Sequence, residues 1–519
     1  MSIDVVFKPE VIGNVDNVEE LVYSKVRCKN NERKIITKSF IDARKKDNVK
    51  VIYRVDTLSD KEFSNLSNLN ASEALPLIGR SIKDSSDRPV IVGFGPAGMY
   101  AGLVLARYGL QPIIIEKGSR VDKRSKDVNT YRTTGQINVN SNIQFGEGGA
   151  GTFSDGKLYT GVSSGLKGFI GDVMVKYGAP SDITFDSHPH VGTDNLVNVV
   201  SGIREEIISL GGEVLFDTTL EDIVITNNQV TAVKTSCGDI PCKSLMLAIG
   251  HSSRETVRMI YAKSIAMENK PFSVGVRIEH LRRDIDIAQY GFDTANYKNI
   301  YAANYKLAVD TCTGKKLYTF CMCPGGEVIA AASEKEAICT NGMSYRARDG
   351  RNSNAALLVP VNSSDYGEGV LDGMLFQEQL EKKAFQVAGA NYNAPISTYG
   401  TLCGIPTAIG KVTPTYIPGI TEVDLREVLP KFVSDTLIDG IAKMGRKIRG
   451  YDSAEAILTA VEARSSSPVR ILRDKDTYES VNTKGLYLSG EGAGYAGGIM
   501  SSAIDGIKCA NRLAENMLN

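Results

Sequence analysis

Gly93-Phe94-Gly95-Pro96-Ala97-Gly98 has the glycine spacing that lets a backbone turn approach a pyrophosphate. Gly93 would make the tight turn, and Gly95 would leave room for phosphate with Pro96 and Ala97 beside it. Gly98 would let the next helix pack on the preceding strand. Glu116, followed by Lys117, stands where a carboxylate accepts ribose hydroxyls. A lone turn of this kind is weak evidence, but here its flanks agree. Residues 89–92 are a short β-branched run suited to a buried parallel strand. Helix formers follow as far as Tyr108-Gly109, and residues 112–115 form a second apolar run ending at the acid.

Two more glycine clusters lie far from the first. Gly146, Gly148, Gly149, Gly151 and Gly156 are too dense for a core element, so they predict a loop that brings backbone N–H groups to a ligand. A flavin ring with its ribityl chain suits such a loop; a surface loop is the bland alternative. Near the other end, residues 486–488 read as a strand running into Gly490-Glu491, and a helix starts at Gly497-Gly498-Ile499. Its N-terminus would face an anionic ring. Simple nicotinamide dehydrogenases keep their nucleotide contacts in one contiguous sheet, whereas these lie at opposite ends of the chain, so FAD fits better.

Those elements need a framework. Residues 195–210 predict a helix, residues 213–236 a strand and a hairpin turning at Asn227-Asn228, and residues 244–249 an apolar strand ending at Gly250-His251. From residue 271 the pattern becomes β-rich. Residues 272–278, 316–322 and 328–332 read as strands, the last two joined as a hairpin at Pro324-Gly325-Gly326. Residues 3–7, 34–40 and 51–55 predict strands of a small amino-terminal unit, with a helix over 18–26 and a serine-rich linker at 81–87. Arg44, Lys45 and Lys46 read as a solvated turn. The expected class is α/β. A small α/β domain (1–86) precedes a discontinuous Rossmann-like FAD-binding domain (87–268 and 481–519), with a β-rich substrate domain inserted at 269–480.

The chain of 519 residues is long enough for two or three cores, and its 60 basic and 60 acidic residues cancel. No global field steers it to nucleic acid or an anionic membrane, and no leader or spanning segment is read, so the cytoplasm is expected. Nine cysteines without a CxxC argue against a disulfide framework or a zinc site. Cys321 and Cys323 read as small buried hydrophobes rather than a redox pair.

Only four histidines are present. His251, beside the expected ring, and His280 are candidates for general acid or base, with structural hydrogen bonding as the alternative. His188-Pro189-His190 lacks a carboxylate cluster, and no metal is expected. With no histidine between the fingerprint and His188, non-covalent FAD is expected. Arg464 and Arg470, with Arg473, could clamp a substrate carboxylate or form internal salt bridges; Tyr345, Arg346 and Arg348 are a weaker set. The glycine spacing recurs from Gly146 and Gly492 without a complete strand–helix–strand unit, so NAD(P)H, if it is the reductant, would dock transiently at the ring. A small molecule is the expected substrate, and a protein electron donor or acceptor is the other candidate partner.

The motifs "GFGPAGMYAGLVLA", "QFGEGGAGTFSDGKL", "AIGHSSRET", "SVGVRIEH", "FCMCPGGEVIAAASE", "NGMSYRARDGRNSNAALLV", "EARSSSPVRILRD" and "SGEGAGYAGGIMSSAIDG" resemble those of a family of FAD-dependent dehydrogenases within the two-dinucleotide-binding-domain flavoproteins. The resemblance covers most of the chain from Arg88 onward, with "KSFIDARKK" before it. It implies that Gly149, Gly151, Thr152, Ser154, Asp155 and Lys157 line the flavin and its linker, and that backbone near Leu220 touches adenine. Gly250 would join them, Gly490 and Glu491 would close over phosphate and ribityl chain, and Gly497, Gly498 and Ile499 would lie under the ring. Many relatives have Gly-Asp in place of Gly490-Glu491. Hydride transfer at flavin N5 is the expected reaction, with monooxygenation and a non-catalytic FAD-bound scaffold as alternatives.

Overall fold

The structure is a computed structural model that describes residues 2–63 and 87–518. All of the expected linker except Asp87 lies outside the described residues. The framework is a sheet in which Glu213–Leu215, Ile113–Ile115, Val90–Val92, Leu245–Leu247 and Thr483–Leu488 lie side by side in that order, all parallel. Val90–Val92 and Leu245–Leu247 are wholly apolar and buried, the composition that strands covered on both faces require. Leu220–Thr226, Gln229–Thr235 and Gly238–Pro241 add an antiparallel meander that joins the sheet where Gln229 meets Lys484. Asn227 and Asn228 turn its first hairpin at φ +52° and +59°, a turn that asparagine tolerates.

Helices Pro96–Arg107, Thr193–Ser209 and Ile499–Leu518 share one core with the sheet. The last lies along the first so closely that a Cβ at Gly506 would be 2.2 Å from the Ala97 carbonyl oxygen.

The chain leaves this sheet through Met267–Asn269 and returns through Val469–Ile471, which pair antiparallel as a stem. Between them lies a seven-stranded sheet in the order Ala308–Asp310, Lys316–Cys323, Asn352–Val361, Phe272–Leu281, Ile457–Glu462, Ala394–Thr398 and Ile420–Glu422. Only its last pair is parallel. Helices Asp372–Val387 and Lys431–Gly445 pack against it, so the region is mixed α/β. The hairpin expected at Pro324-Gly325-Gly326 does not form. Lys316–Cys323 pairs with Ala308–Asp310 and Asn352–Val361, whereas Glu327–Ala330 pairs with Thr340–Met343. A bulge between Phe320 and Cys323 shifts the register, the pairing ends after Cys323 meets Asn354, and the Gly325 N–H turns to Ser353 Oγ, 3.1 Å away, so the chain crosses to another layer.

The amino-terminal unit is an antiparallel sheet in the order Ser2–Phe7, Lys50–Ser59 and Glu32–Asp42, packed on helix Val18–Ser24. Its core includes Ile300 of the inserted region, and Ser39 exchanges backbone hydrogen bonds with Phe185 and Ser187. No helix among the described residues is long and apolar enough to cross a membrane.

The Gly506 contact gives a direct test of the helix packing. Gly506→Val should cost about 1–3 kcal/mol through overpacking against a carbonyl that cannot move aside. An unchanged denaturation midpoint would show that the helices are not held this closely.

Candidate functional site

The carboxyl ends of the central parallel strands open into a cavity of about 760 Å³. From Val90–Val92 the chain first adds Ile113–Ile115 on one side and later Leu245–Leu247 on the other. A crevice at such a switch point is where open α/β sheets bind ligands. Gly93 sits at φ +99°, and a Cβ at Gly98 would be 1.9 Å from the Gly93 carbonyl oxygen, so these two glycines close the turn on itself. Gly98 is buried behind the cavity wall, whereas Gly95, Pro96 and Ala97 form part of it. A Cβ at Gly95 would find no protein atom closer than 3.7 Å. The glycine roles thus divide between building the turn and leaving room in front of it.

Glu116 faces the cavity from the end of its strand while its carboxylate accepts the N–H groups of Phe94 (2.8 Å), Gly118 (2.9 Å) and Gly146 (2.9 Å). A carboxylate has about four lone-pair sites, so capacity for a ribose hydroxyl remains. The same side chain also ties the turn at Gly93–Gly98 to the glycine loop. Lys117 lines the cavity, with its ammonium 3.1 Å from Glu255 and over the Phe145 ring. Leu220 lies in the wall contributed by the meander.

The glycine loop is held from behind by charges that its sequence did not reveal. Arg124 of the polar helix Val121–Thr134, fully buried, donates to the carbonyls of Asn142 (2.9 Å), Ile143 (2.9 Å) and Glu147 (2.6 Å). Burial lowers its basicity, to a pKa of about 10. The Glu147 carboxylate accepts the Val121 N–H at 2.8 Å and pairs with Arg204 at 2.6 Å. Gly149, Gly151, Ser154, Asp155 and Lys157 then reach the cavity. Thr152 does not: the tight turn Gly149–Phe153 rotates it back, where its hydroxyl donates to the Glu147 carbonyl and its own carbonyl accepts the Thr193 hydroxyl. Asp155 is buried beside Arg348, Lys157 and Ser344. Burial alone would raise its carboxyl, but Lys157 and Arg348 outweigh it and hold the group well below the usual range.

At the opposite end, positions Gly250, Gly497 and Gly498 each have open space where a Cβ would stand, and Ile499 begins the carboxy-terminal helix. Asp505 accepts the Gly490 N–H at 2.8 Å and binds both Nη atoms of Arg473. Glu491 turns to His251, whose Nδ1 lies 3.3 Å from its Oε1. His251 Nε2 is buried in the cavity wall without a protein partner. An amide-lined cradle, a ribose acceptor and a vacant imidazole nitrogen fit FAD. The chain's residues could hold its pyrophosphate at the first turn and its ring beside Gly497-Gly498.

Other candidates are corrected. His280 lies in the inserted sheet away from the cavity, its Nε2 2.7 Å from the Tyr451 carbonyl oxygen, because strand Phe272–Leu281 is buried throughout most of its length. No arginine fork assembles. Arg464 lines the cavity but binds Glu381 through two nitrogens; Arg470 lies outside the wall and pairs with Glu268; Arg473 is taken by Asp505. Arg346 is likewise engaged by Asp182 and Tyr301. Cys321 proves to be a cavity residue.

Arg254 joins Arg464 on Glu381, with Nη2 2.7 Å from its Oε1. Burial would raise this carboxyl, but the two arginines bring it down to about 2. The depressed pKa means that its stabilisation is present above the ordinary glutamate value and is lost as pH falls from about 4.5 towards 2. Glu381→Gln should flatten that part of the stability–pH curve. An unchanged acid limb would remove the ion triad from the account.

A family model described as "FAD-dependent protein, C-terminal domain-like" matches residues 271–465. Solved structures with remote likeness include a glycine oxidase from Bacillus cereus (13% identical, 83% of this chain and 95% of that one, TM-score 0.32). An L-proline dehydrogenase from P. horikoshii is similarly distant (11%, 82% and 91%, TM-score 0.32). An uncharacterized protein of Clostridium beijerinckii is far closer, 45% identical over 491 residues and covering 92% of each chain. Kinship that close, across nearly the whole of both sequences, means that the chain belongs to the same family as its Clostridium relative, with residues 271–465 matching the model of an FAD-dependent C-terminal domain.

Proposed function

We propose that this protein is an oxidoreductase that holds FAD non-covalently in the cavity and uses it to move a hydride to or from a small organic substrate. The observation that carries the reading is His251. It follows a strand end of the nucleotide sheet, belongs to the cavity wall, and has a buried Nε2 with no protein partner while Glu491 stands at Nδ1. A carboxylate at Nδ1 favours the tautomer protonated there and leaves Nε2 able to accept a proton. Flavin, when bound, supplies the two-electron chemistry.

The chain's own residues do the rest. The turn at Gly95 and the N-terminus of Pro96–Arg107 would carry the pyrophosphate, and Glu116 a ribose. The loop from Gly149 to Lys157 and the start of Ile499–Leu518 would bracket the ring end. His251 Nε2 would take a proton from the substrate as its hydride departs, or return one in the reverse direction, and Glu491 would stabilise the imidazolium. NAD(P)H docking transiently in the same cavity is the proposed reductant, and a protein donor is the alternative source.

Two variants separate binding from chemistry. Gly95→Val points its branch into the cavity rather than into the fold, so it should yield a folded protein that purifies without flavin; wild-type flavin content would overturn the phosphate assignment. His251→Gln should retain FAD while its turnover of a small alcohol or amine that the wild type oxidises, a reaction that removes a proton along with the hydride, falls about 10²–10⁴-fold, the usual contribution of general acid–base catalysis. A rate equal to wild type would take His251 out of the reaction.

A further inference from the structure

Cys321 and Cys323 lie where strand Lys316–Cys323 leaves its neighbour, on the wall that the inserted sheet presents to the cavity. Alternate residues of a regular strand stand nearly 7 Å apart, at the outer limit for a disulfide. Here the strand is not regular. Its register shifts between Phe320 and Cys323, and Cys321 adopts φ +40°, an uncommon conformation for a residue other than glycine. Cys321 reaches the cavity, and Cys323 is buried behind it with Sγ 3.3 Å from the Cys321 carbonyl oxygen.

Two cations attend the pair. Lys157 Nζ is 3.7 Å from Cys323 Sγ and donates to the Met322 carbonyl between the cysteines. Arg277 Nη2 is 3.9 Å from Cys323 Sγ and 2.7 Å from the Cys321 carbonyl oxygen. Two acids also face the group. Asp155 pairs with Lys157, and Glu462 is 3.4 Å from Arg277, with its carboxyl pushed up to about 7 by burial. Hydrogen bonding from Cys323, then Lys157 and Arg277, holds the Cys321 thiol well below its ordinary value, while Cys323 is raised. Burial alone pushes Cys242 up to about 12, and burial with Glu381 and Glu462 does the same to Cys339 despite Arg464.

We propose that Cys321 and Cys323 are a redox-active dithiol of the cavity wall that exchanges with small disulfides and thiols. The Cys321 thiolate attacks one sulfur of a small disulfide. That S–S bond breaks, and the first thiolate leaves with the proton given up by Cys323. Cys323 then attacks the Cys321 sulfur, forming the internal disulfide and expelling the second thiolate, which takes a proton from water. The cysteine pair loses two electrons, and the small disulfide gains them as two thiols. Excess thiol drives the same steps backward. This chemistry goes beyond the flavin reading and needs no bound flavin.

The test uses the full chain, oxidised glutathione as probe, rapid alkylation and mass mapping of every cysteine. The expected result is an internal Cys321–Cys323 disulfide that reduced glutathione reverses, with Cys242, Cys339 and Cys509 still reduced. In Cys323→Ser, Cys321 should instead retain glutathione as a mixed disulfide. If that variant does not fold, alkylation of the wild type at pH 6 decides: Cys321 should react at least tenfold faster than exposed Cys312. Cys321 and Cys323 remaining fully reduced in excess oxidised glutathione, or Cys321 alkylating no faster than Cys312, would overturn the proposal. Flavin content, read by absorbance on the same sample, separates failure of the dithiol from failure of the FAD site.

Discussion

A loop made of glycine has no side chains with which to hold its own shape, and this constraint governs the site. The segment around Gly146 to Gly156 must expose amides to a ligand, so its conformation has to be imposed from behind. Arg124, Glu147 and Arg204 impose it, with one guanidinium capping three loop carbonyls and one carboxylate joining two helices. Buried charges of this kind are costly unless every one is paired or hydrogen-bonded. Once in place they cannot be lost singly, because each removal leaves another charge or carbonyl unsatisfied. The other end of the cavity follows the same logic through Glu116, which joins strand, turn and loop.

The inserted sheet completes the site from the other side. It returns through the Val469–Ile471 stem, so its wall is fixed relative to the nucleotide sheet. Arg348 crosses to Asp155, and Arg254 and Arg464 meet on Glu381 from the two different regions. The first of these ion pairs also holds Lys157, which pairs with the same Asp155, while Glu462 and the Cys321 carbonyl are held by Arg277 within the inserted sheet. What lies between the sheets is therefore a preformed space with a charged wall facing an amide-rich one.

The parts of this arrangement that lie within one short stretch of chain were legible in the sequence. Glycine spacing, an apolar strand and a terminal acid together predict a local unit, and Asn227-Asn228 announces its own turn. Arg124 was not legible, since a buried arginine in a polar helix looks like a surface one until the loop that it caps is placed. The guanidiniums near Ser465 could not be assigned, because their partners Glu268, Glu381 and Asp505 are remote in sequence. The false hairpin at Pro324-Gly325-Gly326 has the same origin: turn residues were visible, but the bulge beside Cys321 that redirects the chain depends on Asn354 and Ala356 across the sheet. Without that bulge, the spacing of Cys321 and Cys323 is that of packing residues on one face of a strand. Which way Thr152 faces is decided by the one tight turn Gly149–Phe153, which its neighbours in sequence do not reveal.

The central claim is that this cavity holds the adenine, pyrophosphate and ring of FAD together. The most direct measurement is the visible absorption spectrum of the purified wild-type protein, followed by chromatographic identification and quantitation of the chromophore released by denaturation. The account predicts an oxidised-flavin spectrum and FAD released at one molecule per chain, without a covalent residue on the protein. A colourless protein that takes up no FAD on incubation, or one that releases FMN alone, would contradict it.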